Sequence, residues 1–566
     1  MFFGKKLLNN ILKVTFVIIF IFFSTLEAKN LDRYNKAEYL ADYFSGVLLL
    51  NESKYKDSYN YLKKLDGLEE SHPDFSSKYI YSLINSGNIS EAFNYSKKLD
   101  RENKNNFESD LIIGIRHLEN SKFELAKEYF FKAKKRNPIS VLNNYIANTL
   151  YIWSDLKYNN IESAKTSLYN LDSRFENLKK IQNVFLHCYF DSSDTSYLYS
   201  KLISDQNIDF SRYFYFYSKY LNDKDEKIKA KKIIDDALKK NPRNLLLNQY
   251  KHDLNLKKSN IDFNCKKETN VIAELLYIAA NALSSQSYYQ SSNFYLNLSK
   301  YLNNNFNAFD ILLAENFYKI KDLKSANKIY KKLILNGTAF KWYSHKQIAK
   351  ILIQENKKDE ALKLLKKSYN ELPDKSIYEK FDYAEFLKNN DQFNDSIKYF
   401  TEVLEKINPK HPLFPEVADG RGVAHERNGD WDKAEKDLLA SLKASPNQAY
   451  VINYLAYTWI EKGIKIEKSL KMLEKANEIK SNDPYIIDSL GWALFKLKRY
   501  NESKDFLQLA VSLMPSDPVV NDHYGDVLWK IGNEIQARYY WGYVLNLDKA
   551  EKDLKVKIEQ KLIKGL

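Results

Sequence analysis

A marker position, small in its clearest examples, returns about every 34 residues through almost the whole chain. Its places are Gly46, Ile80, Gly114, Asn148, Asn183, Ser218 and His252, then Ala280, Ala314, Ala349, Ala384, Gly422, Ala456, Gly491 and Gly525. The same companions surround the best examples. Leu490, Tyr500, Ser503, Leu507, Ala510 and Pro515 accompany Gly491; Tyr524, Ala537, Trp541 and Val544 accompany Gly525. Gly114 carries Phe123, Ala126, Phe130, Ala133 and Pro138. A unit of that length buries its apolar face only against its neighbours, so the period implies an array rather than one central core. Composition agrees. Only 15 Gly and 11 Pro in 566 residues are too few to turn a large sheet protein through its corners. With 44% hydrophobic and 28% charged residues the chain can bury a core and is not a disordered one.

The pattern Gly491, Tyr500, Ser503, Leu507, Ala510, Pro515 resembles the tetratricopeptide repeat. That resemblance implies an all-α fold, a right-handed solenoid of antiparallel helix pairs, here arranged in two arms. In such a pair the small residue of the first helix lets the second approach closely. Ala434 and Ala537 do the same from the other side, and Pro446 and Pro515 stop the second helix. The expected organisation is a leader over 1–28, degenerate repeats over 29–252, a break between arms over 253–270, repeats over 271–545 and a capping helix over 546–566. That last segment carries Leu554, Ile558 and Leu562 on one stripe.

Residues 1–28 read as a secretory signal or an uncleaved anchor. Lys5 and Lys6 precede an apolar run, Val14–Phe23, and Ala28 offers a cleavage point. The expected location is therefore the periplasm or cell envelope, by secretion or by inner-membrane anchoring. The net charge of +14 comes from 76 Lys and only 11 Arg. With so few Arg for bidentate base contacts, and no long basic block, nucleic acid is not an expected partner.

Nothing in the sequence points to catalysis. The eight His form no HExxH pair, and neither a GxSxG elbow nor a GxxxxGK[ST] phosphate loop occurs. No catalytic residue, cofactor or metal site is expected, and the chain reads as a non-enzyme. Cys188 and Cys265 cannot form a metal cluster with the usual spacing. A disulfide between them requires an oxidising compartment, and they lie two or more repeats apart, where stacked units rarely touch.

Five of the seven Trp and nine of the 15 Gly lie at or after Gly420. The stretch Ala449–Leu545 is similar to the last repeats of envelope-associated proteobacterial repeat proteins, including lipoprotein adaptors that recruit C-terminal processing proteases. No Cys for lipid attachment lies near Ala28, a departure from those lipoproteins. In the repeat geometry the first helices line the concave groove. Residues three before the marker then form one row: Asp419, Asn453, Asp488 and Asp522. Residues one after it include Tyr457, Trp492 and Asp526, and residues four after include Phe495 and Trp529. These nine make up the expected partner-binding groove, suited to a protein or peptide ligand with Lys, Arg or a free amine. Competing readings are core packing for Trp492 and Trp529, and helix-start caps for Asp488 and Asp522. The function expected is a protein–protein scaffold or adaptor in the envelope. The alternatives are a helical-repeat nucleic-acid binder and an accessory subunit of an envelope enzyme such as a protease.

Overall fold

The computed structural model describes residues 37–566, apart from Asp66, Ser71, Pro73, Pro138, Gln206 and 259–261. The leader or anchor expected over 1–28 lies outside the described residues. Among the described residues there are 30 α-helices and no strand. Successive helices pair antiparallel at the expected spacing, as in Pro484–Lys496 with Tyr500–Leu513 and Pro518–Lys530 with Glu534–Leu545.

The marker positions do what the period requires. A Cβ on Gly525 would lie 2.5 Å from the Trp541 ring, and on Gly114 2.5 Å from that of Phe130. On Gly491 it would lie 2.7 Å from Leu507. A serine twelve positions on adds a tie that the sequence reading missed. Ser58, Ser292 and Ser503 each donate to the marker carbonyl, of Gly46, Ala280 and Gly491, at 2.7–2.8 Å. This satisfies a buried hydroxyl within the pair itself. The markers extrapolated to Asn148 and His252 miss: both are only half-buried, and beside the first of them Ala147 is fully buried.

The protein divides into two compact units between Asn370 and Glu371. The break expected at 253–270 is corrected: the described residues of that stretch are built into the first unit. Phe263 packs there with Phe185, Phe216 and Phe306. Asn303 Nδ2 donates to the Asp262 carbonyl at 2.8 Å. Cys188 and Cys265 form a disulfide with Cα atoms 6.0 Å apart. The expectation that they lie too far apart to touch is overturned, because the segment before the Glu268–Ser285 helix folds back onto the Glu176–Tyr189 helix.

The first unit also closes on itself. The Tyr289–Leu302 helix packs on Asp74–Asn85, and Glu268–Ser285 on Val141–Asp155. Amides make the joins. Asn85 Nδ2 donates to the Gln290 carbonyl (3.1 Å), Asn293 Nδ2 to the Tyr55 hydroxyl (3.0 Å), and the Tyr295 hydroxyl to Asn143 Oδ1 (2.7 Å). The early repeats thus have the chain's own helices against them where a partner would otherwise sit.

Candidate functional site

In the second unit the first helices of successive pairs touch one another. Ala449–Glu461 meets Pro484–Lys496, which in turn meets Pro518–Lys530. The rows expected from the sequence lie on these first helices. What those rows present differs along their length.

At the far end the residues are buried and bonded to one another. His523 is buried, its Nδ1 3.0 Å from Asp488 Oδ1, and its ring stacks on Trp492 with centroids 3.9 Å apart. Trp492 stacks in turn on Phe495 at 4.7 Å and donates to Glu461 Oε1 at 2.6 Å. Burial alone would lower the His523 pKa. Asp488, hydrogen-bonded to it, with Asp522 and Asp526 beyond, raises it above the ordinary histidine value. Asp522 and Asp526 share one cation, Lys561 of the Lys552–Lys564 helix, at 2.6 Å and at 2.7 and 2.8 Å. Trp541 also donates to Asp526 at 3.0 Å. Burial, with Asp522 beside it, raises the Asp526 pKa even though Lys561 opposes the shift.

The expectation that Asp488, Asp522 and Asp526 present open carboxylates is therefore corrected. The cation they were expected to attract is supplied by the same chain. They are not helix-start caps either: Asp483 and Asp517 take that place, each accepting from two backbone amides at 3.0–3.3 Å. Trp529 is half-buried between Trp541 (5.5 Å) and Arg538 (4.6 Å). Gly565 closes over it in a left-handed conformation (φ 77°), where a Cβ would lie 2.1 Å from the indole. The sequence signal for Lys561 was its place after Ile558 on the apolar stripe of the last helix.

At the near end the row stays partly open. Asp419, Asn453 and Tyr457 are half-buried. The amide oxygen of Asn453 is buried and has no hydrogen-bond partner among the described residues. Burial pushes the Asp419 carboxyl up to about 6; Lys388 pulls against it while Glu385 and Glu416 add to it. Lys388 is itself bonded to Glu385, at 2.8 and 2.9 Å. Burial, then Glu461, Asp488 and Asp522, raise the Tyr457 hydroxyl pKa. Carboxylates thus stand beside aromatic side chains along this face.

A carboxylate with a raised pKa opposes folding where it is ionised. Between about pH 4 and 6 the folded state binds more protons at Asp419 than the unfolded state does, so this contribution falls as pH rises through that window. Asp419→Asn is expected to stabilise the second unit by about 1–2 kcal/mol at pH 8 and by almost nothing at pH 4. Urea midpoints followed by tryptophan fluorescence check this. No gain at pH 8 would mean that a cation already compensates the carboxylate.

Comparison with known proteins agrees with this architecture. Residues 278–549 match the family described as tetratricopeptide repeat. Over this stretch, just under half of the chain, the protein resembles tetratricopeptide-repeat proteins. TPR repeat-containing protein PA4667 of Pseudomonas aeruginosa is 29% identical over 176 residues. That alignment covers 31% of this chain and only 29% of the relative, well under two thirds of its length. Similar solved structures include MamA 41-end from Desulfovibrio magneticus RS-1, at 17% identity and TM-score 0.27, covering 31% of this chain and 97% of that one. Another is a thermophilic TPR protein in Thermus thermophilus, at 15% identity and TM-score 0.29, covering 33% and 100%.

Proposed function

We propose that this protein is a non-enzymatic scaffold of the bacterial cell envelope whose second unit holds a basic segment of a protein partner on its concave face. The observation that carries this reading is the acidic and aromatic row itself. Asp419, with Glu385 and Glu416, lies at one end, and the carboxylate pair around an ammonium group lies at the other. Such a row attracts Lys or Arg and offers ring surface to the rest of the ligand. The first unit suits the role less well, because its early repeats are filled by its own helices. The envelope location is supported by the Lys5, Lys6, Val14–Phe23 and Ala28 pattern together with the disulfide, a bond that persists in oxidising compartments.

Photo-crosslinking residues at Asn453 and Glu416, introduced in the cell, should trap a protein partner through a segment rich in Lys or Arg. Charge reversal at Asp419→Lys should abolish the trap. Crosslinks that survive the reversal would place the contact away from this row. N-terminal sequencing of the native protein should find a start near Lys29; a retained Met1 in a membrane pellet would mean the anchored form.

A further inference from the structure

We propose that the Lys552–Lys564 helix is a displaceable occupant of a lysine-recognition site, and that the partner takes its place with an amphipathic helix carrying a lysine one turn beyond an apolar anchor. This rests on the reading that the concave face holds a basic partner segment.

The repeats build the site and the last helix supplies only the cation. Asp522 and Asp526, four residues apart on Pro518–Lys530, converge on the Lys561 ammonium, which also lies 5.8 Å from the Trp541 ring. Without Lys561 the enclosed groups would be three carboxylates, of Asp488, Asp522 and Asp526, facing one imidazole, that of His523. The site is therefore electrostatically incomplete until an ammonium group enters from outside the repeats. A cap that only had to cover the end of the array would need apolar side chains. A buried ammonium among carboxylates adds little stability over an apolar filling, and here we read its role as discrimination.

The occupant is weakly held. Its one buried residue is Ile558, whereas each of the other helices of the second unit buries three or more. Leu554 and Leu562 are only partly covered, and Val556 and Ile563 are exposed. Further ties are Lys555 Nζ to the Leu545 carbonyl (3.0 Å), Lys530 Nζ to the Leu566 carbonyl (3.2 Å) and Gly565 against Trp529. An element with so few buried contacts opens at low cost. Once it opens, Trp529 and Trp541 lose their cover, so whatever replaces it must bring apolar surface as well as a cation. The in-cis arrangement defines that replacement: aliphatic residues at the places of Leu554, Ile558 and Leu562, with lysine three residues after the central one. This is the helix-in-groove mode of recognition.

The test uses the full-length protein and a fluorescent peptide of residues 550–566. Backbone amides of 552–564 should exchange hydrogen about 100-fold faster than those of 518–530. The peptide should bind the full chain, and bind more tightly when Ile558→Ala loosens the resident helix. A peptide with Lys561→Ala should bind at least about 30-fold more weakly, because it leaves buried carboxylates unpaired. Exchange of 552–564 in step with 518–545 would make the helix a permanent cap and overturn the proposal. Equal binding of the two peptides would overturn lysine recognition. The crosslinks from Asn453 and Glu416 separate this proposal from the reading beneath it. If they persist while the peptide fails to bind, displacement is overturned and the groove remains. If they are absent while the peptide binds, the partner reading is overturned and the helix is a purely intramolecular clasp.

Discussion

Asp488→Ala is expected to cost the second unit about 3 kcal/mol or more. The carboxylate is the hydrogen-bonding partner of an enclosed imidazole that stacks on Trp492, and removing it leaves that group charged without its hydrogen-bonded counter-ion or forces it to give up its proton. The pH dependence carries a sign. Because the folded pKa of His523 is raised, the stabilisation from its protonated form is fully present below the ordinary histidine value. It is lost as pH rises through the folded value. The cost of Asp488→Ala should therefore be largest near pH 6 and should shrink in alkaline solution. Tryptophan fluorescence in urea is well placed to read it, since Trp431, Trp459, Trp492, Trp529 and Trp541 all lie in this unit. Asp505→Ala, at an exposed position on the next helix, should leave the midpoint unchanged. If Asp488→Ala leaves the midpoint in place and instead weakens partner capture, the carboxylate is an open groove contact after all.

Reduction of the disulfide should have an effect of similar size on the first unit. Cys188 and Cys265 are 77 residues apart, and closing a loop of that length removes about 4 kcal/mol of unfolded-state entropy. The bridge ties the stretch before the Glu268–Ser285 helix to the Glu176–Tyr189 helix, beside the cluster of Phe185, Phe216 and Phe263. Adding a reductant, or the paired Cys188→Ser and Cys265→Ser substitutions, should shift the unfolding of the first unit and leave the second in place. Circular dichroism in urea follows the helices of both units, and tryptophan fluorescence is weighted to the second, which holds five of the seven Trp. Alkylation of the native, unreduced protein should label neither cysteine. Prompt labelling of both would mean that the native protein carries free thiols, and would remove one support for an envelope location.

The repeat was legible because its signal is local. A pair of helices needs a small residue where the axes approach, an aromatic or leucine opposite, and a stop at the end. All three lie within about 34 residues. Gly491 against Leu507 and Gly525 against Trp541 follow from spacing alone. The rows Asp419, Asn453, Asp488 and Asp522 were equally readable as one side of successive helices. Their state was not, because it depends on what approaches from elsewhere in the chain. Lys561 reaches Asp522 from 39 residues away, and no period in the sequence encodes that distance. The same holds where the marker is degenerate. Asn148 and His252 were placed by counting, and packing in those pairs is set by other side chains.

The amino-acid sequence by itself determined that this protein is an array of helix pairs, and where most pairs begin and end. Those properties depend on neighbours along the chain. Tertiary structure alone decided that Cys188 meets Cys265, that the first unit closes on its own helices, and that three carboxylates of the second are enclosed around His523 and Lys561. Each of these is a contact between distant segments. A buried charge or thiol takes its partner from whatever the fold brings within reach, and sequence spacing does not specify that neighbour.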